Sequence, residues 1–292
     1  MKPAAFDYVR PRSVDEVLVE LAADPDETKV LAGGQSLVPM MNFRLARPSR
    51  LVDINDAPGL DGVERVDGHL VIRTRTRHLT VQNLPGADPL TRLLRSAAHQ
   101  VGHLPIRTRG TFGGSLAHCD AASEWCLVAT LLDAQIVVTS AARGERTIPA
   151  RDFFQSIFTT AMEPDELLLS VSLPVLDDTH TAGIAEFARR AGDFAIVAVT
   201  TDVAVTDGTV TSARVCIGGV SDIPFRSAAA EAVLTGAAWP EHDAGGSALV
   251  QAAAEAAADE VDPPTDSHGT GDYRRDLVRA LLPRAISQGG GR

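Results

Sequence analysis

The chain has 292 residues, enough for two domains or one large one, and at 45% hydrophobic and 22% charged it has the balance of a globular protein with a substantial core. Its net charge of −11 argues against a nucleic-acid partner, which wants a basic face. No apolar run approaches the ~18 residues of a membrane span, and Met-Lys-Pro-Ala-Ala-Phe-Asp at the start carries no apolar signal region, so a cytoplasmic location is expected.

Ser13-Val14-Asp15-Glu16 reads as a capping box. Val14, Val17, Leu18 and Leu21 continue it as a helical stripe that Pro25 ends. Short strands are predicted at 29–32, 50–54 and 69–73. Together they make a mixed β-α-β-loop-β start. Leu90, Leu93, Leu94, Ala97, Ala98 and Val101 mark an amphipathic helix. Asp120 reads as the N-cap of a helix carrying Ala122, Cys126, Ala129 and Leu132. Strands follow at 135–139 and 167–173. The polar stretch Pro174–Thr181 is taken as a domain boundary. Beyond it lie strand-like runs at 185–188, 196–206 and 211–217, with a hairpin signal at Asp207-Gly208. Helices are predicted at 227–234, at 248–258 and from Tyr273, and residues 289–292 read as a frayed tail. The second part is thus an α+β unit with an antiparallel sheet.

Two glycine-bearing segments carry most of the functional information. One is Val30-Leu31-Ala32-Gly33-Gly34-Gln35-Ser36-Leu37. The other is Arg107-Thr108-Arg109-Gly110-Thr111-Phe112-Gly113-Gly114-Ser115, running on to His118-Cys119-Asp120. Glycine permits positive φ and close approach of the backbone to a ligand. Consecutive free N–H groups form an anion-binding concavity. Two such loops suit the two phosphates of one dinucleotide; two ordinary turns are the competing reading. Neither segment has the G-x-G-x-x-G spacing of a nicotinamide fingerprint or the Gly-Lys-Ser/Thr of a P-loop.

The cysteines are Cys119, Cys126 and Cys216, too few for a four-thiolate iron–sulfur cluster, and the eight histidines show no metal-ligand pairing, so no metal site is expected. If the chain does redox chemistry, its electrons arrive through a partner.

The turns at 32–36 and 111–115 resemble the two flavin adenine dinucleotide (FAD) loops of the medium subunits of molybdenum hydroxylases. That family includes the carbon monoxide dehydrogenase medium subunit and the flavin domain of xanthine dehydrogenase. The resemblance extends to Phe6-Asp7-Tyr8 with Pro11-x-Ser13 and to Leu51-Val52-Asp53-Ile54. It continues through Ile106-Arg107-x-x-Gly110-Thr111, Arg189-Arg190-x-Gly192-Asp193-Phe194 and Tyr273-Arg274-Arg275, covering about residues 3–286. It implies a two-lobed FAD-binding domain of the vanillyl-alcohol-oxidase (PCMH) type at 1–175, with lobes at about 1–55 and 56–175. A small C-terminal α+β domain at 180–286 follows. The implied role is electron transfer from a small 2Fe-2S subunit, beside a large molybdopterin-binding subunit, to an external acceptor. The implied assembly is a dimer of heterotrimers. A self-sufficient flavin oxidase or dehydrogenase of the same wider fold is the alternative.

The resemblance also implies roles for residues. Ala32, Gly33, Gly34, Gln35 and Ser36 would wrap the pyrophosphate, supported by Val30, Leu31 and Leu37. Gln35 stands where the family often has His, and so does not titrate near neutrality. Thr111, Gly113, Gly114 and Ser115 would form the second clamp, with Ser115 where Asn is common. Val101 falls at an apolar cofactor contact. Asp120 sits in the flavin neighbourhood as well as at a cap position, and Ala121 replaces the Pro that commonly follows it. Glu124 either contacts the ribose or adenine side or lies on a solvated face. Leu168 and Leu169 either touch the isoalloxazine or are core. Arg189 and Arg190 are candidates for a positive charge near the flavin. Phe194 either covers the ring or packs at an interdomain seam. No His or Cys is placed for a covalent flavin link, so non-covalent FAD is expected.

Overall fold

The computed structural model of the chain describes residues 2–240 and 244–290. Its first sheet is parallel, with β1 (Asp7–Val9), β2 (Thr28–Leu31) and β3 (Arg50–Asp53) in the order β1-β3-β2. Parallel neighbours need crossovers. The first is the helix Val14–Ala23; the second contains the glycine segment and the helix Leu37–Asn42. Ser13 caps as expected, its Oγ accepting the Glu16 N–H at 3.1 Å, while the Glu16 carboxylate accepts the Arg12 N–H at 2.7 Å rather than that of Ser13. Val17, Leu21, Val52, Ile54 and Leu60 form a small core, which Leu167 from the next sheet completes.

The second sheet is antiparallel, in the order β4-β5-β10-β6-β7. It contains β4 (Val63–Val66), β5 (His69–Arg73), β6 (Gln135–Ser140) and β7 (Gly144–Pro149). After a two-stranded hairpin of β8 (Phe154–Ser156) and β9 (Thr159–Thr160), β10 (Leu167–Pro174) returns to its centre. The helices Pro89–Gln100, Phe112–His118 and Glu124–Leu131 pack around Trp125, Phe112 and Phe153 to form the largest core. Sequence periodicity missed β1, β4 and β7. The first two have only 3 and 4 residues, and β4 and β7 are edge strands that are mostly exposed, so neither alternates.

The third sheet runs β11 (His180–Phe187), β12 (Val197–Thr206), β13 (Thr209–Gly218) and β14 (Phe225–Arg226), all antiparallel. Asp207 and Gly208 make the expected tight turn with φ of 50° and 72°. The sheet is buried on both faces. Val199, Val203, Val215 and Ile217 face the helices Ala228–Leu234, Ala248–Glu260 and Gly271–Gly290, whereas Ala182, Ile184, Ala198 and Cys216 join the core of the second sheet. That double burial explains the unbroken apolar run at 196–199.

β11 begins five residues before the predicted 185, because its polar start pairs fully with β12. The expected frayed tail is also corrected. The last helix runs to Gly290, and Gly289 is buried where a Cβ would lie 2.8 Å from the carbonyl carbon of Ala182. Likewise a Cβ on Gly183 would lie 2.0 Å from the Ala285 carbonyl oxygen, so glycines on both elements let helix and strand touch. Residues 291 and 292 lie outside the described residues. Among those residues, no helix is long and apolar enough to cross a membrane.

All three cysteines are free and buried. Burial pushes the Cys119 thiol up to about 11, Cys216 up to about 12 and Cys126 well above its ordinary value. The Cys119 thiol donates to the carbonyls of Ser156 and Thr159 at 3.3 and 3.2 Å.

Arg274, 5% exposed, fastens the last helix to the third sheet. Its guanidinium donates to the Ile196 and Gly219 carbonyls at 2.6 and 2.7 Å and to both Asp266 oxygens at 2.9 and 2.8 Å. Arg274→Met is expected to strand those carbonyls and lower stability by about 3 kcal/mol. Arg275→Met, which loses pairs to the exposed Asp262 and Asp272 and one 3.2 Å donation to the Val261 carbonyl, should cost about 1 kcal/mol. Urea unfolding of the two variants checks the contrast.

Candidate functional site

A cleft of about 580 Å³ opens between the first and second sheets. One wall is the turn after β2, Ala32 to Leu37; the other is Gly110 to Ser115. The two glycine segments, some eighty residues apart in sequence, are therefore brought face to face.

The first segment leaves its strand at Leu31 and enters a helix at Leu37. Gly34 takes φ 73°, which glycine favours. The N–H groups of Gly33, Gly34, Gln35 and Ser36 donate to no described residue, and the Gln35 side chain folds back to donate to the Gly33 carbonyl at 3.2 Å. Four successive free donors on a cleft wall are what an anion-binding concavity requires. Val30 also lines this cleft, whereas Leu31 faces a hollow of about 320 Å³ on the far side of the turn.

The second segment is built differently. Gly113 and Gly114 are helical, in the first turn of Phe112–His118, and neither has positive φ. Thr111 is the N-cap, its Oγ1 accepting the Gly114 N–H at 3.1 Å. The Gly113 N–H donates to the Thr74 carbonyl at 2.9 Å, and that of Ser115 to the Thr111 carbonyl at 3.2 Å. The segment is thus no second row of free N–H groups. Its glycines serve packing: a Cβ on Gly113 would lie 2.0 Å from Thr74 Oγ1. What it offers the cleft is a flat backbone and the Ser115 side chain.

The two walls meet at one point. A Cβ on Gly33 would lie 2.4 Å from the Arg109 carbonyl oxygen and 2.7 Å from Gly110 Cα. A Cβ on Gly110 would lie 2.6 Å from the His78 ring. His78 in turn accepts the Trp125 indole N–H at Nδ1, 3.0 Å away. Burial, aided by Arg77 and Arg107, brings His78 down to about 3, so the ring is neutral with its proton on Nε2.

Val101, Asp120, Glu124, Leu168 and Phe194 also line the cleft. Asp120 is not the helix cap: its Oδ1 accepts the Ala122 N–H at 2.9 Å in a local turn, and the helix starts at Glu124 with Ser123 at its N-cap. Leu169 is elsewhere. A register shift between Leu168 and Ser170 bulges the strand there, and Leu169 packs toward the core of the first sheet. Arg190 is exposed and does not itself line the cleft, although Gly192, Asp193 and Phe194 of the same turn do, and Arg189 donates to the Ser267 carbonyl. Among the cleft residues to which the sequence assigned no role are His78, His118 and Phe158. The last two stack with centroids 4.7 Å apart, Phe158 standing at φ 55° on the β8–β9 hairpin. Only the positive-φ hairpin tip could have hinted at Phe158, and nothing in its sequence neighbourhood marks it.

The acidic groups are unusual. Burial, then Glu186 and Asp120, push Glu124 up to about 8. Burial pushes Glu186, on β11 behind the cleft wall, up to about 7, and its Oε2 has no hydrogen-bond partner. At neutral pH Glu124 is therefore chiefly a neutral donor.

The sequence model described as "FAD binding domain in molybdopterin dehydrogenase" matches residues 4–176, and that of the "CO dehydrogenase flavoprotein C-terminal domain" matches residues 183–288. The chain is 39% identical to the alpha subunit of the 6-hydroxypseudooxynicotine dehydrogenase complex of Paenarthrobacter nicotinovorans, over 99% of this chain and 95% of that protein. It is 36% identical to the nicotine 6-hydroxylase medium subunit of the same organism, over the full length of both. A solved carbon monoxide dehydrogenase chain from Hydrogenophaga pseudoflava superposes with a TM-score of 0.91 at 31% identity, covering 99% of each chain. With two family models spanning nearly all of it, and a fold and cleft that agree with them, the chain belongs to the family of FAD-binding medium subunits of the molybdenum hydroxylases.

Proposed function

We propose that this chain is the electron-transfer subunit of a molybdenum hydroxylase complex, holding FAD non-covalently in the cleft between its first two sheets. The observation that carries this reading is the row of unbonded N–H groups from Gly33 to Ser36 facing a second glycine segment across the cleft. The relatives' names, a medium subunit and a subunit of a dehydrogenase complex, support a role inside an assembly. In this reading electrons come from a 2Fe-2S subunit beside a large molybdopterin subunit, in a dimer of heterotrimers in the cytoplasm. Residues 1–175 form the FAD-binding domain, with lobes at about 1–55 and 56–175, and 180–286 form the C-terminal domain. A self-sufficient flavin oxidase is not favoured.

The residues present fit the cofactor. FAD supplies the electron-carrying chemistry when bound; the protein supplies binding, orientation and field. The Gly33–Ser36 donors would take one phosphate and the Ser115 hydroxyl the other. Val101 and Leu168 give apolar surface for the rings. Phe194, 66% exposed at the cleft edge, would cover the flavin. Neutral Glu124 would donate to the ribose or adenine side. Arg190 does not itself line the cleft but stands on the turn whose Gly192, Asp193 and Phe194 do.

The decisive functional test is anaerobic bleaching of the ~450 nm flavin band. Substrate should bleach it only when the large and iron–sulfur subunits are added. Bleaching of this chain alone would promote the self-sufficient enzyme instead.

Gly33→Ala should force the two walls apart, since its Cβ would meet backbone, which cannot rotate away. FAD affinity should fall more than tenfold, or about 1.4 kcal/mol. The flavin released into the supernatant by acid precipitation, per mole of protein, measures it; colour retained in the pellet would show a covalent link.

Glu124 and Glu186 make binding and stability depend on pH. Both titrate above the ordinary carboxylate value of 4.5. The folded chain therefore holds more protons than the unfolded chain from about pH 4.5 to 8, and stability falls as pH rises through that window. Above about 8, ionised Glu124 adds repulsion toward a bound diphosphate. The Kd for FAD should rise severalfold from pH 7 to 9 in the natural chain and stay flat in Glu124→Gln, by fluorescence titration.

A further inference from the structure

The turn that carries the free N–H groups is a thin wall. It has the main cleft on one side and the hollow of about 320 Å³ on the other. Outside its strand register and its own helix, one hydrogen bond among the described residues ties Ala32–Ser36 to the rest of the chain: Asn55 Nδ2 donates to the Ala32 carbonyl at 2.8 Å.

Asn55 is held from three directions. Its N–H and its Nδ2 both donate to Asp53 Oδ1, at 2.9 and 2.6 Å. Tyr8 anchors the other Asp53 oxygen at 2.5 Å. The Asn55 Oδ1 accepts the Arg77 guanidinium at 2.5 Å. A second nitrogen of that guanidinium donates to the Arg109 carbonyl, the oxygen that crowds Gly33. Arg77 is itself fixed by pairing antiparallel to Thr111.

We propose that Asn55 and Arg77 form one tether that sets the gap between the two cofactor-binding walls. It runs from the Ala32 carbonyl through both side chains to the Arg109 carbonyl. By occupying a carbonyl of each segment, the tether holds those oxygens away from a bound diphosphate and leaves the Gly33–Ser36 N–H groups to face it. Two side chains fit the task because an amide both donates and accepts, while the planar guanidinium reaches two acceptors at once. Asn55 and Arg77 are positioning residues, not cofactor contacts. The inference rests on the FAD reading above.

The test uses the full chain with FAD bound and a double-mutant cycle. Asn55→Ala, Arg77→Ala and the pair are compared for FAD release rate after dilution and for thermal midpoint without flavin. Each single variant should speed release at least tenfold, and the double variant should release no faster than the worse single one, because either change cuts the same tether. A merely structural role predicts instead that losses in release and in midpoint move together and add. Arg77→Lys keeps the charge but lacks the planar two-acceptor fork. It should release FAD faster than the natural chain and slower than Arg77→Ala, which preserves the test if an alanine variant fails to fold. Additive effects, or release unchanged in Arg77→Lys and Asn55→Ala, overturn the tether. A natural chain that retains no FAD overturns the cofactor reading, and the tether with it; a natural chain that retains FAD with unaffected variants overturns the tether alone.

Discussion

Two pieces of backbone from different sheets touch at Gly33 and Arg109-Gly110, and much of the site follows from that contact. Its closeness has a simple cause: neither Gly33 nor Gly110 has room for a Cβ. The first segment comes from a parallel crossover and the second from the entry to a helix on an antiparallel sheet. No local pattern relates them. The contact converts two unrelated turns into the walls of one cleft, and its continuation through Gly110, His78 and Trp125 roots that cleft in the main core.

The same packing determines the electrostatics. His78 lies between a backbone glycine and an indole, with Arg77 and Arg107 nearby, and so remains neutral. Glu124 lies near a second carboxyl in poorly solvated surroundings and is neutral as well. Of the carboxyls that line the cleft, Asp120, Glu124, Glu163, Glu166 and Asp193, Glu124 is thereby kept from adding its charge near neutral pH, and Glu166 is paired with the Arg146 guanidinium. The favourable field comes from oriented N–H groups, whose geometry is set on folding and does not reorganise when the ligand enters.

The sequence revealed the elements better than the connections between them. Strands β5, β6, β10, β12 and β13 were readable because each is held by long registers with alternating or continuous apolar faces. The first glycine segment was readable in place and in its positive-φ turn on a cleft wall. The second was readable in place only, because Gly113 serves to pack against Thr74 rather than to turn the chain, and the two uses look alike as letters. Of the two readings left open for Leu169, the core one holds, because a one-residue bulge changes which side chain faces the cleft, and alternation cannot predict a bulge. Asp120 was misassigned because an Asp can close a local turn as well as a helix. Asn55, Arg77 and His78 carry no signature at all: their roles exist only once three separate segments have come together.

The buried cysteines bear on how such a protein survives its own chemistry. A reduced flavin that meets oxygen generates peroxide beside the polypeptide. Peroxide attacks thiolates, and thiols very little. With Cys119 held near 11 and Cys216 near 12, and all three sulfurs screened from solvent, almost no thiolate exists at neutral pH to be consumed. Cys119 spends its proton on two hairpin carbonyls on either side of Phe158. The packing that closes the interior thus also leaves the three thiols poor targets for peroxide.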